Sequence, residues 1–222
     1  MIAQCRPSFI VVLTRFYLIF SSCHNHITAA TSIIPDHRIG AGGKGGPTRT
    51  FAIDRDAAIH TIRASFSRSS ISTFLMVSYM GSRRVKPSWW DDANWQATLD
   101  VNNGTLANYH KAKLAADECL TKLAAEKAKQ DGKFRAICLR PGNLSDEPAG
   151  KVELGKTKAA RGKVSREVVA QVAATLLEKD GAKGWLDLLD GEEDVQRAVD
   201  RVVKEGVDCV EGEDVSAMQA QL

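Results

Sequence analysis

The sequence predicts an α/β fold built on a partial parallel sheet flanked by helices, and three observations carry that reading. Residues 74–77 form a short apolar run closed by Ser78 and Tyr79. Residues 134–139 form a second, closed by Arg140, Pro141 and Gly142. Between them lies a stretch rich in Ala, Leu, Lys and Glu that contains Tyr109 and Lys113. Strand, helix and strand in this order make the repeating unit of a parallel sheet. Chemistry in such sheets gathers at the carboxyl ends of the strands, which would bring Ser78, Tyr109, Lys113 and Pro141 towards one edge.

At 222 residues the chain is long enough for one domain with a real core. Apolar residues make up 44% and charged residues 26%, an ordinary globular composition. A net charge of +3, with no basic run interleaved with aromatics, gives no footprint for nucleic acid. Five cysteines are scattered without a CxxC or CxxH pair, which argues against a zinc site or a disulfide framework and for a reducing, cytoplasmic setting. Cys119 and Cys138 fall in apolar patterns and are expected as buried thiols.

In chain order, residues 8–20 are the most apolar stretch. The run falls short of the about 20 residues a membrane span needs, and Arg15 interrupts it. A secretory signal within residues 1–22 is the minor alternative, and the sequons at Asn103 and Asn143 would then be glycosylated. Residues 24–38 show no period, and His24, His26 and His37 lack the acidic or cysteine company a metal site needs. Residues 40–46 hold five glycines in seven positions, either a flexible linker or backbone that approaches a phosphate closely. Phe51, Ile53, Ala57, Ala58, Ile59, Ile62 and Phe66 then recur at helical spacing, with Asp54 and Asp56 in the first turns, where carboxylates suit the helix dipole.

After the strand at 74–77, residues 81–96 read as a polar loop with Pro87 and three tryptophans, either covering a pocket or anchoring the loop to the body. Residues 103–129 read as one helix. Residues 151–154 are a short strand. Ser165 is an N-cap for a helix whose buried stripe is Val168, Val169, Val172, Ala173, Leu176 and Leu177. Residues 185–189 are a late strand, and a last amphipathic helix carries Val195, Ala198, Val199, Val202 and Val203 up to Gly206. The acidic end, 211–214, is expected as a solvated tail.

Tyr109 and Lys113 are four apart, so both project from one helix face. A phenol is a poor base at neutral pH, and a nearby ammonium favours its phenolate. Such a pair can exchange a proton with a carbonyl or alcohol oxygen, which a hydroxyl such as Ser78 would hold. The spacing alone is common in a lysine-rich chain; its setting between strand, Ser and Arg-Pro-Gly is what raises it.

With these motifs in order, the chain resembles the short-chain dehydrogenase/reductase superfamily, and within it the atypical, epimerase-like branch of small NAD(P)-binding proteins. The residues that carry this are GAGGKGG at 40–46, AIDRDAAI at 52–59, FLMVSYMG at 74–81, YHKAKLAAD at 109–117, LRPGNLSDEP at 139–148 and GKVSREVVA at 162–170. The resemblance implies a Rossmann-type sheet and a nicotinamide dinucleotide cofactor, NADP(H) ahead of NAD(H), with an unknown small-molecule substrate. It implies Tyr109 as proton donor or acceptor and Lys113 as ligand of the nicotinamide ribose. It places Ser78 beside the nicotinamide and Asp54 where this branch carries Asp in the active site. Pro141 and Leu144 would line the nicotinamide pocket, and Gly42 would lie near the cofactor's middle.

The family opens with a strand, a Gly-x-x-Gly-x-x-Gly turn and further strand–helix units. This chain has no glycine before Gly40. Residues 1–39 are therefore expected as a divergent leader unrelated to the fold, and 40–222 as a truncated NAD(P)-binding domain whose N-terminal strand–helix units are missing or replaced. Without the phosphate-gripping turn, dinucleotide affinity should fall, so a non-catalytic NAD(P)-binding or remnant protein stands as the alternative to an enzyme.

Overall fold

A computed structural model of the chain describes three strands, β1 (Ser8–Val12), β2 (Tyr17–Ser22) and β3 (Ile27–Ala30), followed by residues 46–218 and 220. The strands that follow are β4 (Ile71–Val77), β5 (Arg135–Pro141), β6 (Asn143–Ser145), β7 (Val152–Gly155), β8 (Lys163–Ser165) and β9 (Gly184–Asp190). The helices are α1 (Gly46–Thr50), α2 (Ala58–Phe66), α3 (Asp92–Asn103), α4 (Ala107–Gln130), α5 (Arg166–Glu178) and α6 (Val195–Glu205).

The main sheet runs β3-β2-β1-β4-β5-β9-β7. β1, β4, β5 and β9 are mutually parallel along this order, while β7 joins β9 antiparallel and β2 and β3 extend β1 as an antiparallel meander. The apolar run near the amino end thus supplies β1, whose Phe9 to Val12 stand in register with Thr73 to Met76 of β4. β3 falls where the sequence shows no period. A separate parallel pair, β6 with β8, sits beyond the end of β5.

β4 is buried along almost its whole length because both faces of the sheet are covered. Successive side chains point to opposite faces. Phe74 and Met76 pack with Ile59 and Ile62 of α2 and Ala116, Cys119 and Leu120 of α4. Leu75 and Val77 pack on the other side with α5 and α6, through Val168, Val172, Leu176, Ala198 and Val199. The result is three layers, α2 and α4 on one face and α5 and α6 on the other. Cys119, Cys138 and Cys209 are free and buried.

Local chemistry sets the helix limits. Asp91 caps α3 by accepting from the Asn94 amide at 2.7 Å, and Ser165 caps α5 by accepting from the Val168 amide at 3.1 Å. Gly206 ends α6 in the left-handed region at φ 62°, a conformation that costs a residue with a Cβ more than it costs glycine. Two sequence expectations shift. The helix expected over 103–129 is α4, while residues 92–96, expected as loop, open a separate helix, α3, that ends at Asn103, where the Leu106 amide donates back to the Val101 carbonyl at 3.0 Å. The expected helix from Phe51 is π-helical over Phe51–Ala57 before α2 begins.

The acidic end is not a free tail. Glu213 Oε1 accepts from the Arg84 and Val85 amides at 3.0 and 3.2 Å. The Cys209 amide donates to the Trp185 carbonyl at 2.8 Å, and Met218 is buried.

Candidate functional site

Past the carboxyl ends of β4 and β5 the chain opens a cleft of about 510 Å³. Tyr79 to Gly81, beyond β4, and Pro141 to Leu144, at the end of β5 and into β6, form its floor. α3, with Thr98, Val101 and Asn102, and Tyr109 at the start of α4 form one wall. Residues 160–162 and Arg166 form the opposite side. Gly142 makes this floor tight. A Cβ there would stand 2.5 Å from Leu189 Cδ2 and 2.6 Å from the Gly162 carbonyl oxygen.

Tyr109, Pro141 and Leu144 of the expected site residues line the cleft together. The Tyr109 ring lies 5.1 Å from that of Tyr79, centroid to centroid. Tyr79 Oη donates to Asn102 Oδ1 at 2.8 Å, and Asn102 Nδ2 donates to the Gly81 carbonyl at 2.7 Å. Burial pushes the Tyr79 phenol well above its ordinary value, so it stays a neutral donor.

Ser78 and Lys113 are not among the residues that line the cleft; both are buried at the end of β4. Lys113 Nζ donates to the Val77 carbonyl at 3.0 Å, and Ser78 Oγ donates to Asp117 Oδ2 at 2.7 Å. Asp54 is 3% exposed, in the π-helical segment that packs against α4. Gly42 lies outside the described residues, as do His24, His26 and His37.

Behind this edge stands a buried charge network that the sequence reading did not single out. Arg140 donates through Nε to Asp187 Oδ1 and through Nη1 to Asp117 Oδ2, both at 3.0 Å. Its Nη2 reaches the Met80 and Ser82 carbonyls at 3.1 and 2.8 Å. Arg83 Nη2 donates to Asp187 Oδ2 at 2.6 Å and its Nη1 to the Cys209 carbonyl at 2.8 Å. Burial alone would pull the Arg140 guanidinium down, but Asp187 and Asp117 more than offset it and hold it charged. Two signals for the network were present in the sequence. Asp117 continues the Tyr109–Lys113 face by another four residues, and Asp187 interrupts an otherwise apolar strand. A charge in such a position needs a partner.

The cleft sits where open α/β sheets bind their ligands, with Met80, Pro141 and Leu144 as apolar lining and the Tyr109 phenol at its edge. Among the described residues, no group of His, Cys, Asp and Glu could hold a metal ion, and no helix is long and apolar enough to cross a membrane.

A mostly parallel sheet covered on both faces, with its cleft at the strands' carboxyl ends, defines a nucleotide-binding α/β protein of the Rossmann type. The chain belongs to the NAD(P)H-binding family, whose model matches residues 26–180, so its cofactor class is a nicotinamide dinucleotide. A UPF0659 protein of Schizosaccharomyces pombe is 29% identical over 172 residues, 75% of this chain and 66% of that protein. YhfK of Bacillus subtilis, described as an uncharacterized sugar epimerase, is 29% identical over 164 residues, 73% of this chain and 65% of that protein. The chain thus spans just under two thirds of the length of these relatives. The crystal structure of the oxidoreductase ylbE from Lactococcus lactis shares the fold, with a TM-score of 0.52 at 20% identity, over 75% of this chain and 66% of that one.

Proposed function

We propose that the chain is an NAD(P)-dependent oxidoreductase or epimerase-like enzyme of the atypical short-chain type, working at the cleft beside Tyr109. One observation carries this: the Tyr109 side chain lines the cleft at the strands' carboxyl ends, with a buried ammonium one turn further along α4. The names of the relatives, a sugar epimerase and an oxidoreductase, support the same reaction class. NADP(H) is the favoured form of the cofactor on the resemblance of the sequence.

Bound nicotinamide would supply or accept the hydride. The protein's part is to hold the substrate oxygen and move its proton. Tyr109 Oη gives the proton to a forming alkoxide, or takes it from an alcohol in the reverse direction. Lys113, one turn away and shielded from water, favours negative charge on that phenol oxygen. Ser78 has its proton committed to Asp117, so towards a substrate hydroxyl its oxygen accepts. Pro141 and Leu144 would pack on the nicotinamide ring, and Gly42 would approach the dinucleotide's middle. Asp54 adds a buried carboxylate to the helix layer that carries the relay.

The inward hydrogen bonds of Ser78 and Lys113 favour a second reading, a cofactor-binding protein without turnover. Titration of the full chain with NADPH and NADH, followed by tryptophan fluorescence, comes first. It is paired with NADPH oxidation over a panel of aldehydes, ketones and sugar nucleotides. Under the enzyme reading binding saturates and Tyr109→Phe slows turnover by about a hundredfold or more while binding persists. Saturable binding with no turnover across the panel leaves the second reading. Full turnover in Tyr109→Phe removes the proton role, and no saturable binding removes both.

A further inference from the structure

The cleft beside Tyr109 is electrostatically one-sided. Two guanidinium groups, Arg161 and Arg166, reach it, and among the described residues no carboxylate lines it. Neither arginine is fully used inside the protein. Arg166 Nη1 donates to Asp146, whose side chain is 88% exposed, and Arg166 Nε is buried with no hydrogen-bond partner. Arg161 Nη2 donates to the Ala97 carbonyl, which leaves its other N–H groups available. About a third of the Arg166 side chain stays exposed, 35%, so the N–H groups that Asp146 does not take are open to a ligand oxygen. Arg166 is also the first residue of the 13-residue α5, so the positive end of that helix lies on the same side. Across the cleft, Val101 and Leu106 give an apolar wall.

Resting on the reading of this cleft as the substrate site, we infer that the substrate is an anion. It is a carbonyl or alcohol compound carrying a carboxylate or phosphate, held by Arg166 and Arg161 while its reacting oxygen lies at Tyr109. A guanidinium donates two parallel N–H bonds to such a group, and that anchor fixes the distance from the charged end to the reacting carbon. The apolar wall covers the segment between.

The test uses the full chain and a matched pair, 4-carboxybenzaldehyde and methyl 4-formylbenzoate, which differ in the charge and size of one group. Binding is followed by ligand-observed NMR, with and without saturating NADP⁺. The acid is expected to bind about tenfold tighter than the ester, with the gap narrowing as salt rises. Arg166→Ala and Arg161→Ala should each weaken the acid by about tenfold and leave the ester unchanged. Circular dichroism checks that the variants are folded, and the acid-over-ester preference of the unaltered chain needs no variant at all. Equal affinity for the two probes, or no binding of the acid, overturns the inference. So does a loss of NADPH affinity in the arginine variants with acid binding intact, since the arginines would then hold a cofactor phosphate. If NADPH fails to bind but the acid preference persists, the anion site stands and the redox reading falls.

Discussion

Arg140 is the residue on which the site's edge is hung. Its guanidinium joins α4 through Asp117, β9 through Asp187 and the segment beyond β4 through the carbonyls of Met80 and Ser82, all out of reach of water. Replacing one member of a buried ion pair strands its partners, at a cost of about 3–5 kcal/mol. Arg140→Met should therefore lower stability by about that amount in urea unfolding, and a loss below about 1 kcal/mol would show that the carboxylates find other partners. His110, on α4 beside Tyr109, responds to acid. Burial holds its imidazole below the ordinary 6.5, and Nε2 lies 3.3 Å from the Arg83 carbonyl. The folded state therefore binds fewer protons than the unfolded chain. Stability is intact above the unfolded value and is lost as pH falls through 6.5 towards the lowered folded value. Urea midpoints measured across that window should decline on acidification, and His110→Gln should flatten the decline. An unchanged slope in the variant would assign the acid sensitivity to other groups.

At the scale of elements, Ser165 was readable because capping is local: a hydroxyl, three residues and an orphan amide. Ser165→Ala should cost about 1 kcal/mol by thermal unfolding without altering the fold, and a change near zero would mean water replaces the hydroxyl. β4, β5, α5, β9 and α6 were legible for the same reason, since period and end signals sit within the segment itself. α3 was not. Its first residues, 92–96, belong to the polar, tryptophan-bearing stretch that reads as loop, and the turn at its end is fixed by the Leu106 to Val101 hydrogen bond. Of the cleft lining, Tyr109 and Pro141 were legible as positions on a helix face and at a strand end, and Leu144 only through the family resemblance. That Ser78 and Lys113 turn inward was not, because their partners, Asp117 and the Val77 carbonyl, are chosen by packing between layers. Asp117, Arg140 and Asp187 lie on three separate elements and Arg83 in the loop beyond β4, and only the closed sheet makes them neighbours.

Taken whole, the molecule closes its cleft with chain that lies far from it in sequence. Residues 81–91 leave the end of β4 and lead to α3, one wall of the cleft, and they carry little secondary structure of their own. Part of what fixes them comes from the carboxyl end. Glu213 caps the amides of Arg84 and Val85, the Cys209 carbonyl takes the Arg83 guanidinium, and Lys122 of α4 donates to the Met218 carbonyl at 3.0 Å. Burial pushes the Cys209 thiol up to about 12, so it stays a neutral core group under this strap rather than a reactive one. Glu213 is the member of the strap that can be removed without opening the core, because its carboxylate binds amides at the surface. In Glu213→Ala, the Arg84 and Val85 amides should exchange with deuterium about tenfold faster, while amides of β4 and β5 keep their protection. If all of them accelerate together, the strap belongs to the global fold. If none does, the segment beyond β4 is held by its other contacts, Arg83 with Asp187 and Cys209, Arg84 with Glu118 and Trp90 with Thr157, and Glu213 adds nothing to the wall of the cleft.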